Sequence, residues 1–329
     1  MDTTALEQRP TTQHWLKVWV NLVGPLFGLI LLLALFSILK PDTFPTVRTF
    51  GTIARHTTVV GIAALGMTMV IISGGIDLSV GSIIALGTVV VAALLQAGYS
   101  PMAAACGGIA VGAVCGLVSS LVITRAHVVP FIVTLGMMLV IRGAAKGLAR
   151  EQTINAPTSW LRELDSLSEA NEWMLLPPGV WMLLLLAFGV AGLLRYTRLG
   201  RHTYAIGSNE QTARLCGVPV NRVKMMIYTI SGAFAGLAGL MQFSRLTVGD
   251  PTVAVGYELN VIAAVVIGGG SLAGGEGSIL GSIVGALIMT VIATGCTHLG
   301  IQNWVQEIIT GGIIVLAVAL DRLRHRRMG

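Results

Sequence analysis

The sequence predicts an all-α, polytopic membrane bundle of about eight to ten membrane segments, some of them broken or re-entrant. Of its 329 residues, 54% are hydrophobic and only 11% charged, where an ordinary soluble domain carries about 25% charged residues. The mean hydropathy is +0.81. Apolar runs recur along the chain at about 18–39, 57–72, 80–97, 102–124, 130–149, 178–194, 225–243, 258–268, 278–295 and 304–320. At about 20 residues per crossing the length allows that many segments and leaves little for a soluble domain. Helices are expected because a bilayer offers the backbone no water to bond.

Residues 1–17 read as a cytoplasmic tail. "MDTTALEQRPTTQHW" has acids, polar residues and a Pro but no small-residue cleavage site after it, so the first span is expected to be retained. The membrane domain then covers 18–320, and 321–329, "DRLRHRRMG" from Asp321, is a short basic tail. Arg195, Arg198, Arg201, Arg214, Arg222 and Lys224 face one acid, Glu210, in segment 195–224, which is therefore expected in the cytoplasm. Segment 150–177 carries Glu151, Glu163, Asp165, Glu169 and Glu172 against two arginines and is expected outside. Both termini then lie in the cytoplasm, which requires an even number of crossings. Lys40, Arg48 and Arg55 strain that scheme, because 40–56 must be external in it.

The net charge of +6 could suggest nucleic acid. Most of the basic residues flank apolar runs, however, where they act as topology signals, so no nucleic acid is expected. The four cysteines show no CxxC spacing and the six histidines no HExxH spacing, so no metal is expected.

Small residues recur at helical spacing in Gly108, Gly112 and Gly116, in Gly232 and Gly236, and in Gly277, Gly281 and Gly285. Such stripes let helix backbones approach closely. The regions 57–97 and 258–295 each read either as two spans or as a broken, re-entrant pair. An internal echo links them: shifted by 196, "VIISGGIDLSVGSI" (70–83) lies on "VIGGGSLAGGEGSI" (266–279), with Val70, Ile71 and Gly74, then Gly-Ser-Ile (81–83), in register. Repeated halves with interrupted helices are common in transporters, and here the two copies are expected to run in the same direction.

Within "SGGIDLSVGS", Gly74, Gly75 and Gly81 loosen the helix around Asp77, Ser79 and Ser82. An ionised Asp at bilayer depth costs about 2.5–3.5 kcal/mol, so it must be paired, hydrated or capping a helix. Two readings stand side by side. Asp77 or Ser79 caps a helix starting near residue 80, or Asp77 and its serines line a polar translocation path or gate. Asn260, Glu276, Asn303, Trp304 and Glu307 are further polar groups beside apolar runs. Arg142, in "LVIRGAAKG", is a candidate partner for Asp77 or Glu307.

In "AIGSNEQTARLCGVPVNRVK", Glu210 to Leu215 can form a short helix capped by Ser208 or Asn209 and stopped by Gly217 and Pro219. It reads as a docking element or as an ordinary solvated loop. No GxxxxGK[ST] loop occurs anywhere, so this chain is not expected to hydrolyse ATP itself. Catalytic constellations of His, Cys or paired acids are also missing, which disfavours a membrane-embedded enzyme.

Taken together, "GMTMVIISGGIDLSVGS", "AIGSNEQTARLCGV", "ISGAFAGLAGL" and "ELNVIAAVVIGGGSLAGGEGSILGSIVGALI" closely resemble the membrane permeases of bacterial ribose, xylose, arabinose and related sugar ABC importers, from about residue 55 onward. Branched-chain amino-acid permeases belong to the same wider group but typically lack "GGIDLSVGS". The resemblance implies a bacterial inner-membrane subunit paired with a second copy or a sister permease in the lipid bilayer. It also implies a cytoplasmic ATPase below, holding ATP and Mg, and a periplasmic sugar-binding protein above; by its length and acidity the 150–177 loop reads either as a docking surface for that protein or as a plain solvated loop. The substrate implied is a monosaccharide such as a pentose, or a related furanosyl compound. Glu210, Ala213, Arg214 and Gly217 resemble the coupling helix that seats in the ATPase, although Gln211 and Thr212 depart from the usual Glu-Ala-Ala pattern. The competing expectation is a self-sufficient secondary transporter or channel for a small polar solute.

Overall fold

The computed structural model describes residues 12–166 and 176–326, so residues 1–11 of the expected tail, Glu169 and Glu172 of the acidic loop, and residues 327–329 lie outside the described residues. Twelve α-helices run through the described chain: α1 (Thr12–Leu39), α2 (Val47–Ile72), α3 (Val80–Gln96), α4 (Pro101–Ala126), α5 (Pro130–Leu148), α6 (Pro178–Tyr196), α7 (Arg198–Ser208), α8 (Glu210–Leu215), α9 (Val220–Leu246), α10 (Tyr257–Ile267), α11 (Ile279–His298) and α12 (Asn303–Arg326). Six of them (α2, α4, α5, α6, α9 and α11) are long and apolar enough to cross a membrane, and α1, α3, α10 and α12 carry shorter apolar stretches. The protein is an all-α bundle.

Proline and hydroxyl side chains set several helix starts. Pro101, Pro130 and Pro178 open α4, α5 and α6, where the missing N–H has no partner to lose. The hydroxyls of Thr46, Ser100 and Ser278 accept from backbone amides in the first turns of α2, α4 and α11. His127 ends α4 with φ +53°, in the left-handed region, and turns the chain directly into α5.

The bundle is layered around α2. Of the most apolar window of α2, 89% is buried within the chain, against 22% for α5, so α2 is the axis and α5 lies at the periphery. Threonines on α2 bond back to their own helix and across to α11: Thr68 Oγ1 lies 2.7 Å from Ser282 Oγ, and Thr57 Oγ1 lies 2.6 Å from Thr290 Oγ1. Such hydrogen bonds between apolar helices hold a register that hydrophobic burial alone does not specify.

Glycines bring α4 against α9. A Cβ on Gly112 would strike the carbonyl of Gly232 and the backbone of Gly236, and one on Gly116 would strike the carbonyl of Tyr228. On α11, Gly281 faces the Gly268 carbonyl and Gly285 the Ala264 carbonyl. Gly108 lies against Val91 of α3. Gly277, expected at the head of the α11 stripe, instead precedes the helix and touches Ile72; the loop before Ser278 delays the helix by one step.

The acidic connection after α5 is folded onto the bundle. Strand β1 (Ile154–Asn155) pairs antiparallel with β2 (Val248–Gly249) just beyond α9. A 3-10 turn at Trp160–Asp165 buries Leu161 completely, and its Asp165 N–H donates to Ser244 Oγ at 3.1 Å. The described part of this loop is thus anchored to α9.

Candidate functional site

Two interrupted helix pairs meet beside the short helix α8. The first is α2, a break over residues 73–79, then α3; the second is α10, a longer break over 268–278, then α11. Gly74 turns the first break with φ +76°, and Gly274 and Gly275 turn the second with φ +88° and +77°. The breaks are joined directly, because the Gly275 N–H donates to the carbonyl of Ile72 at 2.9 Å. These are the two segments linked by the internal echo. The last turn of α7 closes the junction: a Cβ on Gly207 would run into the Ile72 carbonyl and the Gly275 amide. Tyr204, one turn earlier, donates its hydroxyl to the Gly277 carbonyl at 3.0 Å.

Asp77 is fully buried in the first break. Its Oδ1 accepts from the Ser79 backbone N–H at 2.9 Å and from the Ser79 hydroxyl at 2.6 Å, while Oδ2 has no hydrogen-bond partner among the described residues. This corrects the capping expectation. Ser79 stands at the cap position of α3 in helical backbone geometry and makes no side-chain cap bond. Asp77 bends the chain one step earlier, in an Asx-type turn, because these residues bond their own backbone two positions on. From α5, Thr134 donates to the Ile76 carbonyl at 3.1 Å and fixes the other side of the turn.

Tyr228 of α9 lies over this break, and a Cβ on Gly75 would strike its hydroxyl. Asp77 is within electrostatic reach of Tyr228 and of Cys115. Tyr228 stands about 12 Å along α9 from its start, at 1.5 Å per residue, so the buried carboxylate is well inside the bundle. Gly81, at the start of α3, approaches the Glu258 carboxylate and the Ala254 carbonyl at the start of the second pair, where Asn260 is half-buried.

Arg142 pairs with neither Asp77 nor Glu307. It donates to the carbonyls of Pro251 (3.0 Å) and Val253 (2.6 Å), because the turn before α10 offers it unpaired backbone acceptors. Glu307 lies exposed on α12.

The short helix α8 is capped by Asn209, whose Oδ1 accepts from Thr212 N at 2.8 Å; Ser208 is the last residue of α7. Gly217, with φ +82°, ends it: Val218 N bonds Ala213 O at 3.0 Å and Gly217 N bonds Arg214 O at 3.1 Å, a Schellman-type closure. The four residues singled out there have different surroundings. Ala213, 5% exposed, is turned into this chain. Glu210 receives Arg214 at 3.2 Å and Lys224 of α9 at 2.7 Å. Burial pushes the Glu210 carboxyl up, yet the hydrogen bonds and charges of Lys224 and Arg214 outweigh it and hold the group below its ordinary range. Leu215 is 89% exposed, a large apolar side chain that sequence reasoning passed over. Gly207, Tyr204 and Tyr228 were also missed, and Lys224 reads from sequence only as a basic topology signal; Gly207 and Lys224 both lie in "AIGSNEQTARLCGVPVNRVK".

Among the described residues no three His, Cys, Asp or Glu side chains are grouped to hold a metal ion. Interrupted helices joined inside an apolar bundle, with backbone carbonyls and a carboxylate at the breaks, define a membrane transport protein. Residues 49–318 match the family described as branched-chain amino acid transport system / permease component, and the chain belongs to that family. It is similar to the ribose import permease protein RbsC of Bacillus subtilis (strain 168), 39% identical over 324 residues, 98% of this chain and 99% of the relative. The ribose import permease protein RbsC of Escherichia coli (strain K12) is 37% identical over 313 residues, 95% and 97% of the two chains. The L-arabinose ABC transporter permease protein AraH of Azospirillum brasilense is 36% identical over 313 residues, 94% and 91% of the two chains. No solved structure matches the chain.

Proposed function

We propose that this chain is the translocation subunit of an ATP-binding-cassette importer for a monosaccharide, working in the bacterial inner membrane. The observation that carries the reading is similarity along nearly the whole of both chains to permeases named for ribose and arabinose. A periplasmic binding protein delivers the sugar, and a separate cytoplasmic ATPase, holding ATP and Mg, drives the exchange between outward-open and inward-open states. The breaks at 73–79 and 268–278 line the path, with Asp77, Ser79 and Asn260 as its polar groups. Affinity resides in the binding protein, because a deep well on the path would slow release.

The ATPase docks on α8. Its exposed Leu215 supports this, since a large apolar side chain on a short charged helix is suited to a pocket in a partner. Ala213 and the ion-paired Glu210 seat the helix on its own chain, while Arg214, Leu215 and Gly217 face the partner. Glu307, a carboxylate exposed on an apolar helix, supports a protein neighbour on α12, either a second copy or a sister permease.

Co-purification with the cognate ATPase in detergent tests the reading. The wild type is expected to retain the ATPase, and a folded Leu215→Asp, Gly217→Trp variant to lose it. If the wild type binds no ATPase and vesicles take up solute without ATP, the chain is a self-sufficient transporter and the proposal fails.

A further inference from the structure

We propose that Lys224 is the strut through which motion of α8 reaches the helix breaks, which makes it a positioning residue for coupled transport. The inference rests on the importer reading above. It starts from how α8 is attached. At its N-terminal end α8 follows α7 with only Asn209 between them, and Gly207 is wedged against Ile72 and Gly275, where no side chain fits. That end is a pivot made of close-packed backbone. Besides the buried Ala213 and the short turn 216–219 into α9, α8 is attached by an ion pair: Glu210 is held by Lys224 at 2.7 Å and by Arg214 at 3.2 Å. Arg214 belongs to α8 itself, so its bond carries nothing out of the helix. Lys224 belongs to α9, and its side chain is only 14% exposed.

Lys224 and Tyr228 are four residues apart on α9 and share one helix face. The Tyr228 hydroxyl closes over Gly75 beside Asp77. A side-chain path from Glu210 to the first break therefore consists of one ion pair, one helical turn and one van der Waals contact, in addition to the backbone pivot at Gly207. α9 cannot absorb the movement by sliding, because Gly232 and Gly236 are locked against the backbone of α4. Space for the stroke lies beside the ion pair: a cavity of about 220 Å³ is lined by His127 and Pro130 at the α4–α5 turn, by Glu210 and Arg214 of α8 and by Asn221 and Lys224 of α9.

Proteoliposomes holding the complete importer, with its ATPase and sugar-loaded binding protein, provide the test. Lys224→Met is expected to keep the ATPase bound and to lower the sugar moved per ATP hydrolysed about tenfold, within the range of ordinary coupling between sites. Lys224→Arg should restore the ratio, and the exchanged pair Glu210→Lys with Lys224→Glu should exceed Lys224→Glu alone. A wild-type ratio in an intact Lys224→Met complex overturns the inference. If Lys224→Met fails to assemble, the exchanged pair decides, and no gain over Lys224→Glu alone overturns it. A wild-type chain that binds no ATPase has a different meaning: it removes the importer reading itself, and this inference with it.

Discussion

Gly275 donates its amide hydrogen to the carbonyl of Ile72 at 2.9 Å, so the two helix breaks form one structural unit rather than two separate defects. Ile72 closes α2 and Gly275 lies in the turn before α11, yet each satisfies a backbone group that a helix end would leave open. Gly207 is pressed into the same joint.

A Gly207→Ala variant should therefore open the joint. Its Cβ would meet the Ile72 carbonyl and the Gly275 amide, neither of which can rotate away as a flexible side chain could. Overpacking of this kind costs about 1–3 kcal/mol. We expect a lower melting temperature in detergent and a loss of uptake; an unchanged melting curve with full uptake would show that the joint yields freely.

Gly75→Ala should impair transport, and Tyr228→Phe should rescue it. A methyl on Gly75 meets the Tyr228 hydroxyl oxygen, whereas the ring carbon behind that oxygen is 3.4 Å away, an ordinary contact. Uptake by the double variant should exceed that of Gly75→Ala alone. No rescue would mean that the added methyl strikes something other than the hydroxyl.

Asp77→Ala should reduce uptake more than tenfold, a loss of about 1.4 kcal/mol or more, while complex yield stays near normal. It removes the acceptor for both the Ser79 amide and the Ser79 hydroxyl. Asp77→Asn keeps one such oxygen and should retain more activity. Normal uptake by Asp77→Ala at normal yield would remove Asp77 from the transport path.

Asp165 makes stability depend on pH. Burial raises its carboxyl to about 7, against the opposing charges of Arg245 and Arg55. With a folded value above the unfolded one of 3.8, the native state holds the extra proton between them, so stability should fall as pH rises from about 4 to about 7 and level off above. Asp165→Asn should flatten that slope and raise the melting temperature at pH 8. Identical melting profiles for the two proteins from pH 5 to 8 would refute this.

Much of the architecture was legible in the residues themselves, because in a bilayer each helix satisfies its own backbone bonds and its apolar length identifies it. The runs at 102–124, 130–149 and 178–194 correspond to α4, α5 and α6, and "GSNEQTARLCGV" contains the cap and stop of α8. Gly74, Gly75 and Asp77 marked the first break, and the echo at 266–279 pointed to the second.

Contacts between distant segments were decided only by the tertiary structure. Gly277 and Gly281 look alike along the chain, but one touches the Ile72 side chain and the other a backbone carbonyl. Arg142 had two carboxylates as candidate partners by charge, and the fold offered it the carbonyls of Pro251 and Val253 instead. Helix propensity and hydropathy act over a few neighbouring residues, so composition and local pattern determine which segments are helices and where they break. Which breaks meet, and which lysine holds the short helix, depends on packing between helices more than a hundred residues apart, or across a turn whose direction the local sequence does not specify.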